Sequence, residues 1–405
     1  MITALIVIFA IATGGQTGPR PIYQDNSMCI ERSISGDAQL KTIAFDALAF
    51  MTGDMGSCTF FPPGKVSDLF GFQYLRDNDT DSRGHSGEFL SRCADNVLHL
   101  LHDSQITMLE ELAHEQVDQI NEFAFKRMQV ISVYRRLLED SMPEGSTSLD
   151  TTMINEAMEE LYRLDGIMCI RRAEVLGEII RSLDPVQLDY LNEMALQGME
   201  SWPEVIPGID SRSIPRDQHV AIMTYASQLF SWYTGSIESD IYFCPERHGT
   251  YFGAFYLKDM PAMADPGYNI GENLTADTGS DFLELLDYRQ KMLIENLVVD
   301  QVPSIQRIVE IRENLAQELR MALEGEPLDS EEIMRLATEY GSIDGRISIM
   351  YAITFTEIYR SLSSQQIESI RAIAQDLGYE PCQGAFLYSE PIPMPFLENT
   401  DRFFR

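Results

Sequence analysis

The sequence lacks the short motifs that identify most enzymes. It has no Gly-x-x-x-x-Gly-Lys phosphate loop, no Gly-x-Gly-x-x-Gly dinucleotide fingerprint and no Gly-x-Ser-x-Gly nucleophile elbow. Its six histidines include no His-x-x-x-His pair, so the helical zinc site of the proteases is missing too. His99 and His102 are one helical turn apart and could share a metal, but histidines on helix surfaces or caps are far commoner. We therefore predict a non-enzymatic protein with no catalytic residues.

Basic residues are also scarce. The chain has 30 lysines and arginines against 63 acidic residues, and its net charge is −33. A surface of this sign repels phosphate backbones and anionic lipids, so we exclude a nucleic-acid-binding protein. Cationic ligands, divalent metals and basic protein partners remain open. Only 5 of the 30 basic residues are lysine, a composition that fits either a salty habitat or the general composition of a lineage.

No Cys-x-x-Cys pair occurs, which argues against zinc knuckles, thioredoxin-like redox chemistry and c-type haem attachment. Six cysteines are an even number, and in an exported protein this permits disulfides whose pairing the spacing does not give. Cys93 and Cys169 fall on apolar stripes of helical segments and are expected in the core. The disulfide candidates are the four in loop-like sequence: Cys29, Cys58, Cys244 and Cys382.

Long hydrophobic runs are missing except at the N-terminus. Residues 1–12 are almost entirely apolar, and Gly14 and Gly15 follow. The run is too short to span a bilayer comfortably and is typical of a signal-peptide core, although it has no preceding basic residues. Residues 1–16 therefore predict export to the periplasm, the cell surface or the medium. A wrongly assigned start, or a retained apolar plug used in assembly, would have the same pattern. No other segment predicts a membrane span.

Most of the chain has the 3.6-residue periodicity of amphipathic helices, so the predicted fold class is all-α. The seam at residues 181–187 illustrates how these helices meet. Asp184 is a good N-cap residue, Pro185 suits the first helical position, and Gln187 stands where a capping box needs Glu or Gln. We interpret this stretch as a corner between two helices.

The sequence is internally duplicated. Residues 70–77 recur with five identities as residues 252–259, at a spacing of 182, and the Arg-Ser-Leu of residues 181–183 recurs at 360–362, at a spacing of 179. Matches in constant register indicate two copies of one unit. We assign residues 37–199 and 216–380 to the two units and residues 200–215 to a linker. Residues 17–36 form an N-terminal arm and residues 381–405 a Pro-rich, aromatic tail.

Each unit contains two Leu-x-x-x-Gln corners separated by long helices. The residues that form these corners are Leu101 and Gln105; Leu183, Asp184 and Gln187; Leu286, Asp287 and Gln290; and Leu362, Ser363 and Gln366. This arrangement resembles the Spy/CpxP family of periplasmic proteins with the LTxxQ motif, although none of the four sites has the family's Thr. The resemblance implies all-α curved hairpins, paired as a cradle, with chaperone or stress-related binding roles. The aromatic and Pro-rich loop excursions at residues 60–88 and 243–279 have no counterpart in that family.

One acidic loop has part of a calcium-binding pattern. Asp77, Asp79, Asp81 and Glu88 occupy positions 1, 3, 5 and 12 of an EF-hand-like loop, but Ser82 replaces the required glycine at position 6. Ca²⁺ is thus the one cofactor that the sequence suggests, and a solvated acidic loop is the alternative. Asn78 and Asn273 begin Asn-x-Thr sequons and are glycosylation candidates.

Together these features predict an exported, non-enzymatic binding protein that is either chaperone-like or ligand-sequestering. The alternative is a self-assembling structural subunit of an extracellular filament or surface layer, whose apolar N-terminus, aromatic loops and tail would dock on neighbouring copies. Either function implies protein partners or self-association, with no nucleic acid and no stable membrane span.

Overall fold

The computed structural model describes residues 35–52, 66–67, 73–77, 87–197, 201–242, 261–262, 265–269, 274–376, 385–387, 390–392 and 399–405. The body formed by these residues is built from helices, which confirms the all-α prediction. In chain order the helices are α1 Gly36–Thr52, α2 Gly87–Leu100, α3 Asp103–Leu138, α4 Thr151–Arg181, α5 Pro185–Leu196, α6 Arg216–Thr234, α7 Ile237–Tyr242, α8 Leu274–Leu285, α9 Tyr288–Glu324, α10 Ser330–Ser361 and α11 Ser364–Asp376.

Short strands of two to five residues add two small antiparallel sheets at the positions of the loop excursions and the tail. One sheet has the order β1-β2-β5-β6 and the other pairs β3 with β4. The strands are β1 Val66–Ser67, β2 Gln73–Asp77, β3 Pro261–Ala262, β4 Asp265–Asn269, β5 Ala385–Leu387 and β6 Glu390–Ile392. The first sheet therefore joins the first excursion to the tail.

The long helices begin and end where the sequence supplies caps. Asp150 accepts hydrogen bonds from the backbone N–H groups of Thr152 and Met153 at the start of α4, and Asp329 caps α10 in the same way. Gly325 ends α9 in the left-handed conformation, with φ of 77°, which glycine adopts without a steric penalty. The helix boundaries thus follow from local chemistry.

Helices α4 and α10 pack antiparallel through reciprocal contacts. A Cβ added to Gly166 would lie 3.1 Å from the sulfur of Met334, and one added to Gly345 would lie 2.8 Å from the side-chain oxygen of Asn155. Gly345 corresponds to Gly166 in the duplicated sequence, and Met334 corresponds to Asn155, both at spacing 179. Reciprocity of this kind is the mark of a two-fold interface. The duplicated helices are therefore related by a pseudo-two-fold axis between α4 and α10.

The first helix of each duplicated unit packs on the other unit. Helix α1 contacts α8, α9, α10 and α11, whereas α6 contacts α2, α3, α4 and α5. Both exchanged helices are anchored on equivalent buried glutamines. Gln301 donates to Gln39 of α1 at 2.7 Å, and Gln116 accepts from the Tyr225 hydroxyl of α6 at 2.8 Å. The two units are consequently interlocked rather than placed side by side.

An arginine fixes the C-terminal end of each exchanged helix. The Arg135 guanidinium lies 6.0 Å from the ring centre of Phe50 and donates to the carbonyl of that residue at 3.1 Å. The equivalent Arg320 lies 5.9 Å from the ring centre of Trp232 and donates to its carbonyl at 3.3 Å. In both cases the arginine belongs to the same unit as the helix that it contacts. Each exchanged helix therefore packs on the other unit and is also bound to its own, so that it bridges the two halves.

Other predicted features fall in different parts of the structure. Cys93 and Cys169 are buried, at 1% and 0% exposure, which confirms their predicted core positions. The linker packs against α2, since Trp202 is buried and Gly208 donates to the Leu98 carbonyl. None of the described helices has the length and apolarity that crossing a membrane requires. Residues 1–34, which include the predicted signal segment, lie outside the described residues.

Candidate functional site

The four predicted corners are present as capped helix starts. Asp184 accepts from the N–H groups of Val186 and Gln187, and its own N–H donates to the Gln187 side chain at 3.0 Å. The His102 N–H donates in the same way to the Gln105 side chain at 2.9 Å. These reciprocal bonds satisfy backbone groups that a helix start leaves unpaired.

The two corners of the first half also bind each other. The Gln187 amide nitrogen donates to the Gln105 side-chain oxygen at 2.7 Å and to the Leu100 carbonyl at 3.0 Å. The Gln105 amide in turn donates to the Ser182 hydroxyl at 2.9 Å. Leu101 and Leu183 are both buried beside this pair. The corner glutamines therefore close the α3/α4 hairpin at its open end.

The second half repeats this arrangement. Gln366 donates to the Gln290 side chain and to the Leu285 carbonyl, both at 2.8 Å, and Gln290 donates to the Ser361 hydroxyl at 3.0 Å. The caps are again reciprocal, between Asp287 and Gln290 and between Ser363 and Gln366. Leu286 is buried and Leu362 is half-buried beside the pair. The corner residues thus fix the fold, and a ligand site must be sought elsewhere.

The two neighbouring histidines do not share a site. His102 lies 2.9 Å from a carboxylate oxygen of Asp184, whereas His99 contacts the Ile206 carbonyl of the linker at 3.1 Å. The backbone N–H of Gln187, together with the His102 ring, lowers the pKa of Asp184. Both histidines therefore hold neighbouring segments in place.

The predicted calcium, glycosylation and disulfide positions fall mainly outside the described residues. Asp77 is the last residue of β2 and Glu88 lies in the first turn of α2. The remaining positions lie outside: Asp79, Asp81, Asn78, Asn273, Cys29, Cys58, Cys244 and Cys382. Within the described part of the chain, no group of three or more His, Cys, Asp or Glu side chains is arranged to hold a metal. These predictions remain predictions.

A polar cluster lies in the core near the exchanged helix α1. The Tyr351 hydroxyl donates to Gln301, and burial, reinforced by the charge of Asp46, raises the pKa of this tyrosine well above its ordinary value. Burial also raises the pKa of the Asp46 carboxyl, whose Oδ2 has no hydrogen-bond partner among the described residues. Gln228 occupies the equivalent of Asp46 in the other half. Sequence reasoning missed this cluster.

The equivalent cluster in the first half contains a fully buried arginine. Arg172 lies 4.8 Å from the ring centre of Tyr225 and donates to the Gln116 side chain at 3.3 Å. Gln116 also donates to the Met168 carbonyl at 2.9 Å. Because Arg172, Gln116 and Tyr225 are all at most 1% exposed, no ligand reaches them. Both core clusters therefore orient helices and do not bind ligands.

A surface cleft of about 800 Å³ lies where α4, α9 and α10 meet. Its lining combines apolar and charged side chains, and it carries three arginines although the chain as a whole is strongly acidic. We call it the arginine cleft. It is lined by Glu159, Pro303, Ser304, Arg307, Glu331, Met334, Arg335, Thr338, Glu339, Ser342, Ile343 and Arg346.

Ion pairs hold two of these arginines in fixed positions. Arg307 binds both carboxylate oxygens of Glu339, at 2.7 and 3.0 Å, and also Glu310 at 2.8 Å. Arg335 binds Glu332 through two bonds and Glu339 through one. Bonds from these guanidinium groups lower the pKa of Glu339, chiefly through Arg307, and that of Glu332, through Arg335. Both carboxyls are therefore ionised near neutral pH and are poor proton donors.

The third arginine is less engaged. Arg346 is exposed and donates to the Ser342 hydroxyl at 3.2 Å, and the described residues offer it no carboxylate partner. Met334 and Ile343 lie beside it in the cleft lining. The cleft thus presents apolar side chains together with one guanidinium that can still donate hydrogen bonds to a carboxylate or carbonyl of a ligand.

The duplicated half carries other residues at the three arginine positions, and its own arginine, Arg163, stands where this half has Ser342. The positions that correspond to Arg307 and Arg335 are Glu122 and Glu156. Since the two halves share a backbone arrangement, the fold itself does not require arginine here. This difference between the copies was visible in the sequence and is the signal that could have identified the cleft.

Comparison with known proteins adds no assignment, because no family model, no curated protein and no solved structure matches this chain.

Proposed function

We propose that this chain is an exported, non-enzymatic binding protein built from two Spy-like hairpin units, and that it acts as a chaperone or sequesters a ligand. The arginine cleft is the binding site of this proposal. The supporting observation is that one half carries Arg307 and Arg335 beside apolar lining residues, at positions where the other half carries Glu122 and Glu156. A surface with both features suits an amphipathic segment of an unfolded protein.

The chemistry of the cleft favours binding over catalysis. A general acid needs a pKa near the working pH, yet Arg307 and Arg335 lower the pKa values of Glu339 and Glu332. The other polar groups of its lining include the hydroxyls of Ser304, Thr338 and Ser342, and the described residues place no histidine or cysteine among them. This composition provides recognition without an activated nucleophile.

Aggregation of an unfolded client tests the proposal. The variant Arg307→Glu/Arg335→Glu introduces the residue type that the other half tolerates at both positions. The control Arg171→Glu/Arg212→Glu makes the same charge change on exposed positions outside the cleft. Light scattering of reduced lysozyme, which is basic, and reduced α-lactalbumin, which is acidic, would be followed with each protein.

We expect the wild type and the control to suppress aggregation of both clients, and the cleft variant to bind them about tenfold more weakly, equivalent to about 1.4 kcal/mol. A purely electrostatic effect would instead strengthen binding of the basic client in both variants. Equal suppression by all three proteins would contradict the assignment of the cleft.

A self-assembling structural subunit of an extracellular filament or surface layer is the second proposal. One observation favours it: residues 399–405 pair with the turn between α3 and α4 like an added strand, and two copies can use this mode. Electron microscopy of native material tests it. Ordered polymers would support this function, and monodisperse single particles would contradict it.

A further inference from the structure

A seven-residue segment at positions 399–405, called here the docking segment, binds the turn at residues 139–150, called the receiving turn. The Thr147 N–H donates to the Arg405 carbonyl at 2.6 Å, and the Asp150 N–H donates to the Phe403 carbonyl at 2.7 Å. The Arg405 N–H returns a bond to the Ser148 carbonyl at 2.9 Å. These antiparallel bonds amount to a short added strand.

Side chains give this contact its specificity. Phe403 and Phe404 are 1% and 8% exposed, and the Arg136 guanidinium lies 4.9 Å from the Phe404 ring centre. Arg136 also forms an ion pair with Asp401 at 2.7 Å. A second ion pair joins Arg405 to Asp150 at 2.7 Å. The end of α3 and the receiving turn therefore bind an aromatic ring and charges of both signs in a fixed order.

Only one half of the molecule has a turn of this kind. The receiving turn spans residues 139–150, whereas the equivalent connection between α9 and α10 spans only residues 325–329. A hairpin of this geometry can thus be closed by the shorter connection. Thr147, Ser148 and Asp150, at the C-terminal end of the longer connection, supply the N–H and carbonyl groups that bind the docking segment.

We propose that the receiving turn also binds the docking segment of a second copy of this chain, so that two copies exchange segments. This inference rests on the second proposed function. Residues 393–398 join the docking segment to β6, and six residues reach at most about 20 Å. An exchanged segment would keep every bond described above, and only its connection to the body would change.

Concentration decides which arrangement prevails. A segment joined to its own turn has an effective concentration on the order of millimolar, so dilute protein keeps the intramolecular contact. Exchange becomes favourable where copies are crowded, as they would be in a filament or layer. The partner is therefore another copy of this chain, and the binding mode is strand addition through residues 399–405.

Two complementary variants test the exchange. One chain ends at Glu398 and retains an open receiving turn. The other keeps the docking segment but carries Arg136→Glu and Thr147→Pro, which repel Asp401 and remove the N–H that binds the Arg405 carbonyl. Neither variant can form the contact with itself. Circular dichroism melting of each chain shows that the helical body is intact before they are mixed.

We expect each variant to be monomeric alone and the mixture to contain a 1:1 complex by native mass spectrometry. A synthetic peptide of residues 397–405 should compete with this complex. A mixture that stays monomeric overturns the exchange, whether or not the peptide binds the shortened chain. If the mixed variants form the complex but native material shows no polymers in the electron microscope, exchange is supported and the filament function is refuted. If native material shows polymers but the mixed variants form no complex, the filament function is supported and exchange is refuted.

Discussion

Substitutions of Gln187 test why the corner motif ends in glutamine. Its side-chain oxygen accepts from the Asp184 N–H, as a glutamate of a capping box would. Its amide nitrogen donates to Gln105 and to the Leu100 carbonyl, which a carboxylate cannot do. Gln187→Ala removes both roles, whereas Gln187→Glu removes only the donation. The two variants therefore separate capping from pairing of the corners.

The cost follows from burial, because Gln187 is 2% exposed. Gln187→Ala leaves the Leu100 carbonyl and the Asp184 N–H without their partner, and each buried group left unsatisfied costs about 1–3 kcal/mol, so we expect about 3 kcal/mol in total. Gln187→Glu restores the cap but places a charge beside the Gln105 oxygen and the Leu100 carbonyl. We expect it to cost at least about 3 kcal/mol as well.

Urea unfolding at pH 7, followed by circular dichroism, measures these losses as shifts of the midpoint at constant slope. Gln366 makes the equivalent bonds in the second half but is half-buried, so Gln366→Ala should cost less, about 1–2 kcal/mol. The control is Gln197→Ala, since this exposed side chain donates only to Glu193 and its loss should cost no more than about 0.5 kcal/mol. If Gln187→Glu unfolds at the wild-type midpoint, pairing of the corners contributes nothing.

Three further changes test other parts of the fold by the same unfolding measurement. Burial raises the pKa of the Asp46 carboxyl, so the folded protein holds this proton more tightly than the unfolded chain does. The folded protein therefore loses stability as the pH rises above 3.8, the ordinary pKa of the group. Asp46→Asn should stabilise the folded protein by about 1–3 kcal/mol at pH 7 and by less at pH 4. Gly341→Ala places a Cβ 2.5 Å from a backbone oxygen of α4 and should cost about 1–3 kcal/mol, whereas Gly36→Ala meets nothing within 3.8 Å and should be nearly neutral. Arg320→Ala removes the ion pair to Asp240, whose side chain is 15% exposed, and should cost about 3 kcal/mol. A loss below about 1 kcal/mol for Gly341→Ala or Arg320→Ala would contradict the packing described.

Local features of this fold could be predicted from the sequence because they depend on neighbouring residues. Asp184, Pro185 and Gln187 define a helix start whatever surrounds them. The duplication likewise appears as identities at constant spacing. The buried clusters could have been found as well, since Gln116 and Gln301 are polar residues at equivalent positions on otherwise apolar stripes.

The exchange of α1 and α6 could not be predicted. Sequence correspondence shows that Ile43 and Tyr225 are equivalent positions, but it does not show which copy each helix packs against, because both copies offer similar apolar faces. The docking segment was hidden for a related reason. Phe403 and Phe404 are apolar enough to be buried, yet nothing near them in sequence indicates that Arg136 contacts the Phe404 ring.

The arginine cleft could be predicted from the sequence only in part. Its signal was the contrast between Arg307 and Glu122, which only a comparison of the two copies reveals. We propose that this cleft binds a segment of an unfolded protein. Ser304 lies in the cleft lining on α9, and Gln119 is its half-buried equivalent on α3.

Site-specific photo-crosslinking at these two positions tests the claim most directly. A photoreactive residue replaces Ser304 in one variant and Gln119 in the other, and each is irradiated with reduced α-lactalbumin. Binding in the cleft predicts adducts with the client from position 304 and few or none from position 119. Equal yields from both positions, or adducts from position 119 alone, would contradict it.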